Sequence, residues 1–287
     1  MSENAKTSTM PLTSSTSHAK YQATDQDALG YTNTCIISAA TLILVYGLIA
    51  IYLREDFTIS LLLAAHPVIF LTLLLTVLLA LPRWMINLHE LLHIYDEHQV
   101  HPFIRLMGVS PVPLSIVSLS YGQIRTLHFA HHAAPTIETD PDAYHIRGSW
   151  GQAVFNAFSS PEQSTLRWIA RYGLSRQLAV DCGLKLLILA GLIGVGGTTF
   201  LWFWLCLRLV YGCGDLAFFR GVHHQQGCYG TFSLSLPAKL IDIGERIFGK
   251  TVVQATIHHD IHHLDPRIAV RFLGTARIQG AASKLCC

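Results

Sequence analysis

The chain has 287 residues, of which 51% are apolar and only 13% are charged. Charged residues make up about a quarter of a typical soluble protein, so this balance predicts a membrane protein rather than a soluble one. The formal net charge is +2 and the lysines and arginines form no basic run, which argues against nucleic acid as a partner.

Seven cysteines occur in the chain, an odd number, and no two of them form a Cys-x-x-Cys pair. The sequence therefore indicates neither a disulfide framework nor a thiolate metal site. It is consistent with an active side that faces the reducing cytoplasm.

Residues 1–33 are rich in Ser, Thr, Ala and Gln and contain almost no large apolar residues. They also lack the short apolar core and cleavage site of a secretory signal, so we predict a disordered N-terminal tail. The folded domain is predicted to cover residues 34–275, with a C-terminal tail at residues 276–287.

Four apolar stretches are long enough to cross a bilayer core of about 30 Å at 1.5 Å per residue. The third and fourth are separated only by Gly196 and Gly197, which predicts a tight helical hairpin, and the helical pattern of the second continues past Pro82. The sequence therefore predicts an all-α integral membrane protein with about four transmembrane helices, at Cys35–Leu53, Ile59–Leu81, Leu178–Val195 and Thr198–Phe219.

The distribution of basic residues predicts the orientation of these helices. The connection between the second and third stretches carries seven lysines or arginines, and the segment from Arg220 onwards carries eight. The connections on the opposite side carry only Arg54. Because cytoplasmic loops hold the excess of basic residues, we expect a multi-pass protein with both termini and the histidine-bearing segments on the cytoplasmic side.

Three patterns contain half of the sixteen histidines: His89-x-x-x-His93, His128-x-x-His131-His132 and His259-x-x-His262-His263. Positions i, i+3 and i+4 of an α-helix share one face, so each pattern directs its imidazoles one way. Eight imidazoles are twice what a four-coordinate zinc uses and are enough for two metals. All-nitrogen ligation favours iron, copper or zinc over calcium or magnesium.

Two other classes of protein are compatible with parts of this pattern. His89-Glu90-x-x-His93 matches the H-E-x-x-H motif of zinc proteases, but that interpretation leaves both H-x-x-H-H boxes unexplained. A membrane metal transporter is expected to place ionisable residues within its spans, where the only lysine and arginine here are Lys185 and Arg208. Both classes rank below a dimetal enzyme.

The order of the histidine patterns resembles the membrane fatty-acid desaturase superfamily, whose three histidine boxes hold a di-iron centre. The resemblance covers roughly residues 53–273 and includes the two apolar stretches between the second and third boxes. The segments Asp140–Asp142 and Pro266–Ile268 are also similar to the family, whereas Glu90 stands where the family commonly has Asp.

The resemblance implies a histidine-rich cytoplasmic cap that binds two iron ions and uses O₂ to oxidise a fatty acyl chain. A fatty-acid desaturase is the expected activity, and a related hydroxylase, ketolase or oxidative decarboxylase is the alternative. No catalytic residue beyond the metal centre is implied. The sequence contains no haem, flavin or iron–sulfur motif, so the electron donor is expected to be a separate protein of ferredoxin or cytochrome b5 type.

Members of the family often carry a further histidine in a His-x-x-Gly setting after the fourth span. His224-Gln-Gln-Gly227 matches this setting, with His223 as the alternative, while His258 falls off the face of the last box and is predicted to be a neighbour. The predicted ligands are therefore His89, His93, His128, His131, His132, His224, His259, His262 and His263.

Metal-bound imidazoles usually donate their second N–H to an acid or a carbonyl. Asp140 and Asp142 are among the acids near the boxes, but we predict this supporting role for Glu90, Asp215 and Asp260. The tunnel for the acyl substrate is predicted along Phe103–Leu119 and the loop-facing ends of the second and fourth spans.

Overall fold

The computed structural model describes residues 21–53, 67–108, 114–146, 148–223, 231 and 233–278. Within these residues the regular structure is helical and contains no β-strand, which confirms the all-α prediction. The helices are α1 (Asp25–Tyr52), α2 (Pro67–Ile94), α3 (Pro102–Met107), α4 (Tyr121–Ala133), α5 (Ala143–Ile146), α6 (Trp150–Phe158), α7 (Ser160–Tyr172), α8 (Arg176–Val222), α9 (Ala238–Phe248), α10 (Lys250–Ile257), α11 (His259–Leu264), a 3₁₀ turn (Val270–Phe272) and α12 (Leu273–Ile278).

Three helices are long and apolar enough to cross a membrane: α1, residues Leu71–Ile94 of α2, and α8. Each presents large apolar side chains outward, such as Leu44, Leu75 and Leu187. A soluble surface rarely carries such continuous apolar faces, so length, composition and exposure agree with a membrane protein. Pro82 lies inside α2, as the continued helical spacing predicts.

Helix α1 begins nine residues before residue 34, the predicted start of the folded domain. The helix begins at Asp25, where the Thr24 side chain accepts from the Asp27 backbone N–H and the Asp27 carboxylate accepts from the Thr24 backbone N–H. This reciprocal capping satisfies two N–H groups that a helix start otherwise leaves free. The preceding Tyr21 carbonyl accepts from Ala269 N–H at 2.9 Å.

Helix α8 consists of two helical parts that together span 47 residues and would be roughly 70 Å long if straight. Gly197 interrupts it with φ 65° and ψ −159°, a conformation that is essentially confined to glycine. Lys185, before this point, donates to Ser118 Oγ, and Arg208, after it, donates to the Leu114 carbonyl at 3.0 Å. Ser118 and Leu114 are only four residues apart, whereas Lys185 and Arg208 would be roughly 34 Å apart on a straight helix. The chain therefore reverses at Gly197 into two arms, residues 176–196 and 198–222.

The core connects the apolar helices to the histidine segments. Trp84 and Leu88 of α2 are buried with Cys35 of α1 in one cluster of side chains, which also contains Tyr121 at the start of α4. The Tyr121 hydroxyl donates to the Leu91 carbonyl at 2.9 Å near the end of α2. The end of α2 and the start of α4 are therefore fixed to each other.

Candidate metal centre

The first two histidine patterns lie on α2 and α4, whose ends are held together by side-chain bonds to backbone carbonyls. In addition to the Tyr121 bond, Arg125 Nε donates to the Leu92 carbonyl at 2.9 Å. The last few carbonyls of a helix have no partner within the helix, and Arg125 supplies one to Leu92, while the Leu91 carbonyl also accepts from the Tyr95 N–H at 2.9 Å. The third pattern lies on α11, as the helical spacing predicts.

Five imidazoles form a first group, in which one nitrogen of each ring lies within 4.8 Å of the others. His93 Nε2 lies 2.7 Å from His128 Nε2 and 3.0 Å from His262 Nε2. His128 Nε2 also lies 3.1 Å from His132 Nε2. The first group thus contains residues from all three patterns: His89, His93, His128, His132 and His262.

Three further imidazoles form a second group by the same criterion: His131, His223 and His263. His131 Nε2 lies 3.2 Å from His223 Nε2. The ring of His263 stacks on that of His132 with a centroid separation of 4.0 Å, so the two groups are adjacent. Two neighbouring groups are the arrangement that a dinuclear site requires.

The convergence of these nitrogens fits a metal ion better than it fits hydrogen bonding alone. Each Nε2 atom carries either one proton to donate or one lone pair to accept with. Four Nε2 atoms in contact therefore cannot all be satisfied by hydrogen bonds to one another. A cation would accept a lone pair from each. Buried ring nitrogens without a hydrogen-bond partner among the described residues also occur here, including His89 Nε2 in the first group.

The protonation of the rings favours ligation as well. The pKa of His223 is lowered to about 3, mainly by burial and to a smaller extent by the nearby imidazoles. A lowered pKa favours the neutral imidazole, which is the form that a metal binds. The pKa is lowered by the same causes in His128, His132, His259, His262 and His263.

His131 differs because a carboxylate holds its other nitrogen. His131 Nδ1 lies 2.9 Å from Asp140 Oδ1, and Asp142 lies 3.9 Å away. Burial opposes protonation of this ring, but the bond to Asp140 and the charge of Asp142 outweigh it and raise the pKa of His131. With Nδ1 bonded to Asp140, Nε2 is left to face the second group.

Asp140 is itself fixed by the backbone around it. Its carboxylate accepts from the Thr136 N–H at 2.7 Å and from the Asp142 N–H at 2.8 Å. Thr136 is buried and has φ 66°, which costs free energy in a residue that is not glycine. Such strain persists where the surroundings impose it, and here it aims one N–H at Asp140.

Of the three acids predicted to support the ligands, Glu90 contacts imidazole nitrogens. Glu90 Oε1 lies 3.0 Å from His89 Nδ1 and 3.8 Å from His262 Nδ1. Asp260 is buried in α11, and Asp215 lies in the wall of the cavity described below. Asp140, which bonds to His131, is not among these three acids, although its position nine residues after His131 and before the next helix is a usable signal in the sequence.

Two predicted ligands remain. His259 Nε2 lies 3.1 Å from His263 Nε2, so this ring adjoins the second group without belonging to it. His224 lies outside the described residues, and its alternative His223 is the one that the structure brings into the second group. His258 lies at the break between α10 and α11 and belongs to neither group.

An apolar cavity of about 440 Å³ lies between α2 and the second arm of α8. Its wall runs along α2 from Leu78 to Leu92 and along α8 from Val210 to Phe219. Along α2 this is a depth of roughly 20 Å. A cavity of this shape and lining suits a long hydrocarbon chain.

The cavity reaches the first histidine group, since His89 and His128 form part of its wall. Ser118 and Leu119, from the end of the predicted tunnel segment, also contribute. The ends of α2 and α8 also line this cavity, and residues 109–113 of the predicted tunnel segment lie outside the described residues.

In comparisons with known proteins, no family model, no curated protein and no solved structure matches this chain. The two histidine groups and the adjoining cavity therefore carry the functional argument by themselves.

Proposed function

We propose that this protein is a membrane-embedded di-iron oxidoreductase that uses O₂ to oxidise fatty acyl chains, most simply by introducing a carbon–carbon double bond. The observation that supports this best is the apolar cavity whose wall includes His89 and His128 of the first group. It would place one carbon segment of a hydrocarbon chain beside the metal ligands. A hydroxylase or another oxidase acting on the same chain is compatible with the same geometry.

In this proposal the first group and the second group hold one iron each, and His259 completes the ligands beside the second. The bound iron pair would supply the oxidising power needed to remove hydrogen from unactivated carbon. The electrons come from a separate donor protein of ferredoxin or cytochrome b5 type.

The remaining tasks belong to the side chains of this protein. Asp140 and Glu90 fix the orientation of His131 and His89 through their Nδ1 atoms. The apolar cavity wall holds the chain in place and excludes water from the first group, which protects the site from unproductive side reactions.

We further propose four membrane crossings, with the two arms of α8 counted separately. In this arrangement the two arms would cross the membrane in opposite directions on either side of Gly197, where the helix is interrupted. The histidine segments then lie on the cytoplasmic side with both termini, in agreement with the excess of basic residues there.

The zinc-protease alternative is weaker on the same geometry. As the general base of such an enzyme, Glu90 would have to activate a water molecule. Instead Glu90 is buried and is bonded to His89 Nδ1 at 3.0 Å, where it orients that imidazole. A protease of this type would also leave the second histidine group without a role.

Metal analysis and lipid analysis together test the proposal. Purified protein should contain two irons per chain, and membranes of cells that express it should contain acyl chains with double bonds at new positions, located by mass spectrometry. His262→Ala should remove both the iron and the products, whereas His98→Ala, an exposed histidine outside both groups, should remove neither.

Two outcomes would contradict the proposal. One is a single zinc and no iron per chain in protein that has been isolated with its metal retained. The other is metal-dependent cleavage of a membrane peptide that Glu90→Gln abolishes, which would establish the protease. In the di-iron enzyme we expect Glu90→Gln to lose part of its iron and to keep some lipid oxidation.

A further inference from the structure

Helix α9 has an exposed apolar face that the metal centre does not explain. None of its residues is buried. Leu240 is 54% exposed, Ile243 50% and Ile247 44%, and these three positions lie on one side of the helix. The sequence alone did not single out this helix, because the segment after residue 220 is polar on average.

The helix has three distinct sides. Gly244 and Glu245 face the protein, where Gly244 lies against Val253 and Glu245 accepts from Gln254 at 2.6 Å. The exposed surface is divided into the apolar face and a polar face, which carries Lys239, Asp242 and Arg246. A helix that contacts protein, an apolar phase and water on three separate sides is typical of a helix lying flat at a membrane surface.

The position of α9 on α2 places it at the appropriate level. Arg83 donates from its guanidinium to the Ile247 carbonyl at 2.8 Å. Arg83 is also the first charged residue of α2, after sixteen uncharged residues that begin at Pro67. Arginines at the ends of membrane helices lie at the level of the lipid headgroups, so Arg83 holds α9 where α2 leaves the apolar layer.

We infer that Leu240, Ile243 and Ile247 insert into the interface of the lipid bilayer, so that α9 is a surface-lying membrane anchor. This inference rests on the membrane location in the proposed function and not on its chemistry. Lipid rather than a second protein contacts this face, because the bond from Arg83 to Ile247 places the face at the level where α2 emerges from the bilayer.

The anchor has a consequence for the cavity. Helix α10 follows α9 after Gly249 and contributes Val252 and Thr256 to the cavity wall. Pro82, next to Arg83, also lines this cavity. Anchoring α9 thus holds the part of the cavity wall that α10 forms near the membrane surface.

The test compares neighbouring positions on the two exposed faces of α9. A fluorescent dansyl amino acid is introduced by amber suppression at Ile243 or at Asp242 in the full-length protein, which is then reconstituted into phosphatidylcholine vesicles. Quenching is measured with a nitroxide attached near the headgroup end of the lipid chains and with a water-soluble quencher. We expect lipid quenching to be at least fivefold stronger at position 243 than at 242, with the opposite order for the aqueous quencher.

Equal quenching at the two positions would overturn the inference. A second contrary result is a probe at position 243 that neither quencher reaches until the protein is diluted in the vesicles. That result would indicate that the face is covered by another copy of the chain. A probe at Leu75, exposed on α2, serves as the membrane control. Strong quenching of that probe by deeply placed nitroxides shows insertion of α2, so that failure of the membrane assignment is distinguished from failure at α9.

Discussion

Adjacent histidines within one box lie in different groups. His131 belongs to the second group and His132 to the first, and the same division separates His263 from His262. Successive residues on a helix point about 100° apart, so a pair of adjacent imidazoles can serve two sites that lie side by side. The doubled histidine of an H-x-x-H-H box is therefore the feature that suits two metals.

At the level of single residues, Asp140→Asn tests the support of the second group. The change removes the negative charge beside His131 Nδ1. It also replaces one of the two carboxylate oxygens, which accept from backbone N–H groups such as that of Thr136. Loss of such a supporting acid typically lowers metal affinity by about 10–100-fold. We expect iron titrations to show this weakening for one of two bound metals, and no change for Asp242→Asn on the exposed face of α9. Unaltered binding of both metals would show that Asp140 has no such role.

A pair of neighbouring variants tests the final ligand. His223→Ala removes one of the three imidazoles of the second group, so we expect the iron content to fall from two towards one per chain. His224→Ala should retain more iron than His223→Ala. Elemental analysis of the two proteins after identical purification decides the matter, and the reverse order would restore His224 as the ligand, as the resemblance to the desaturase superfamily implies.

At the level of elements, two buried basic residues hold the irregular segment before α4 against the hairpin of α8. Lys185 is only 2% exposed and donates to Ser118, while Arg208 pairs with Glu162 at 2.7 Å. Glu162 also accepts from the Ile116 N–H at 2.9 Å. Buried non-helical backbone is stable only where its N–H and C=O groups find partners, and these contacts satisfy the Ile116 N–H and the Leu114 carbonyl.

The turn of the hairpin depends on Gly197, so Gly197→Ala should destabilise the protein. A Cβ at φ 65° and ψ −159° costs about 1–3 kcal/mol, which should lower the midpoint of thermal unfolding in detergent. Gly191→Ala is the matched control, because this glycine lies in the first arm with open space around it. Alanine is favoured over glycine within a helix, so the control should be neutral or slightly stabilising. Equal midpoints for both variants would argue against a fixed reversal at Gly197.

At the level of the whole molecule, the cavity relates the membrane helices to the metal centre. Leu78 and His89 lie on the same helix and line the same cavity, roughly 16 Å apart along α2. In the proposed function, the distance between the far end of the cavity and the histidines would set the length of chain that can extend beyond the oxidised carbon.

Leu78→Trp should shorten the cavity without touching the histidines. We expect the products to shift towards shorter acyl chains, or turnover to fall at least tenfold for long ones, with the iron content unchanged. Leu75→Trp adds the same bulk on the exposed side of α2 and should leave the product distribution as it is. An identical distribution for wild type and Leu78→Trp would exclude this cavity as the binding site of the chain.

The sequence by itself determined those features that depend on local spacing. Apolar runs of sufficient length predict the long helices, and histidines at i, i+3 and i+4 predict one directed face, because a helix repeats every 3.6 residues whatever it packs against. The continuation of α2 through Pro82 and the glycine break in α8 follow from the same local rules.

The tertiary structure alone decided which imidazoles share a group, because each group combines residues that are distant in the chain. His93 meets His262 only through the packing of α2 near α11, and His223 meets His131 only where the end of α8 passes α4. The role of Asp140 likewise requires the strained turn at Thr136, and the apolar face of α9 appears only when its protein-facing side is known. Local spacing gives the direction of a side chain, whereas its partner depends on contacts between distant segments.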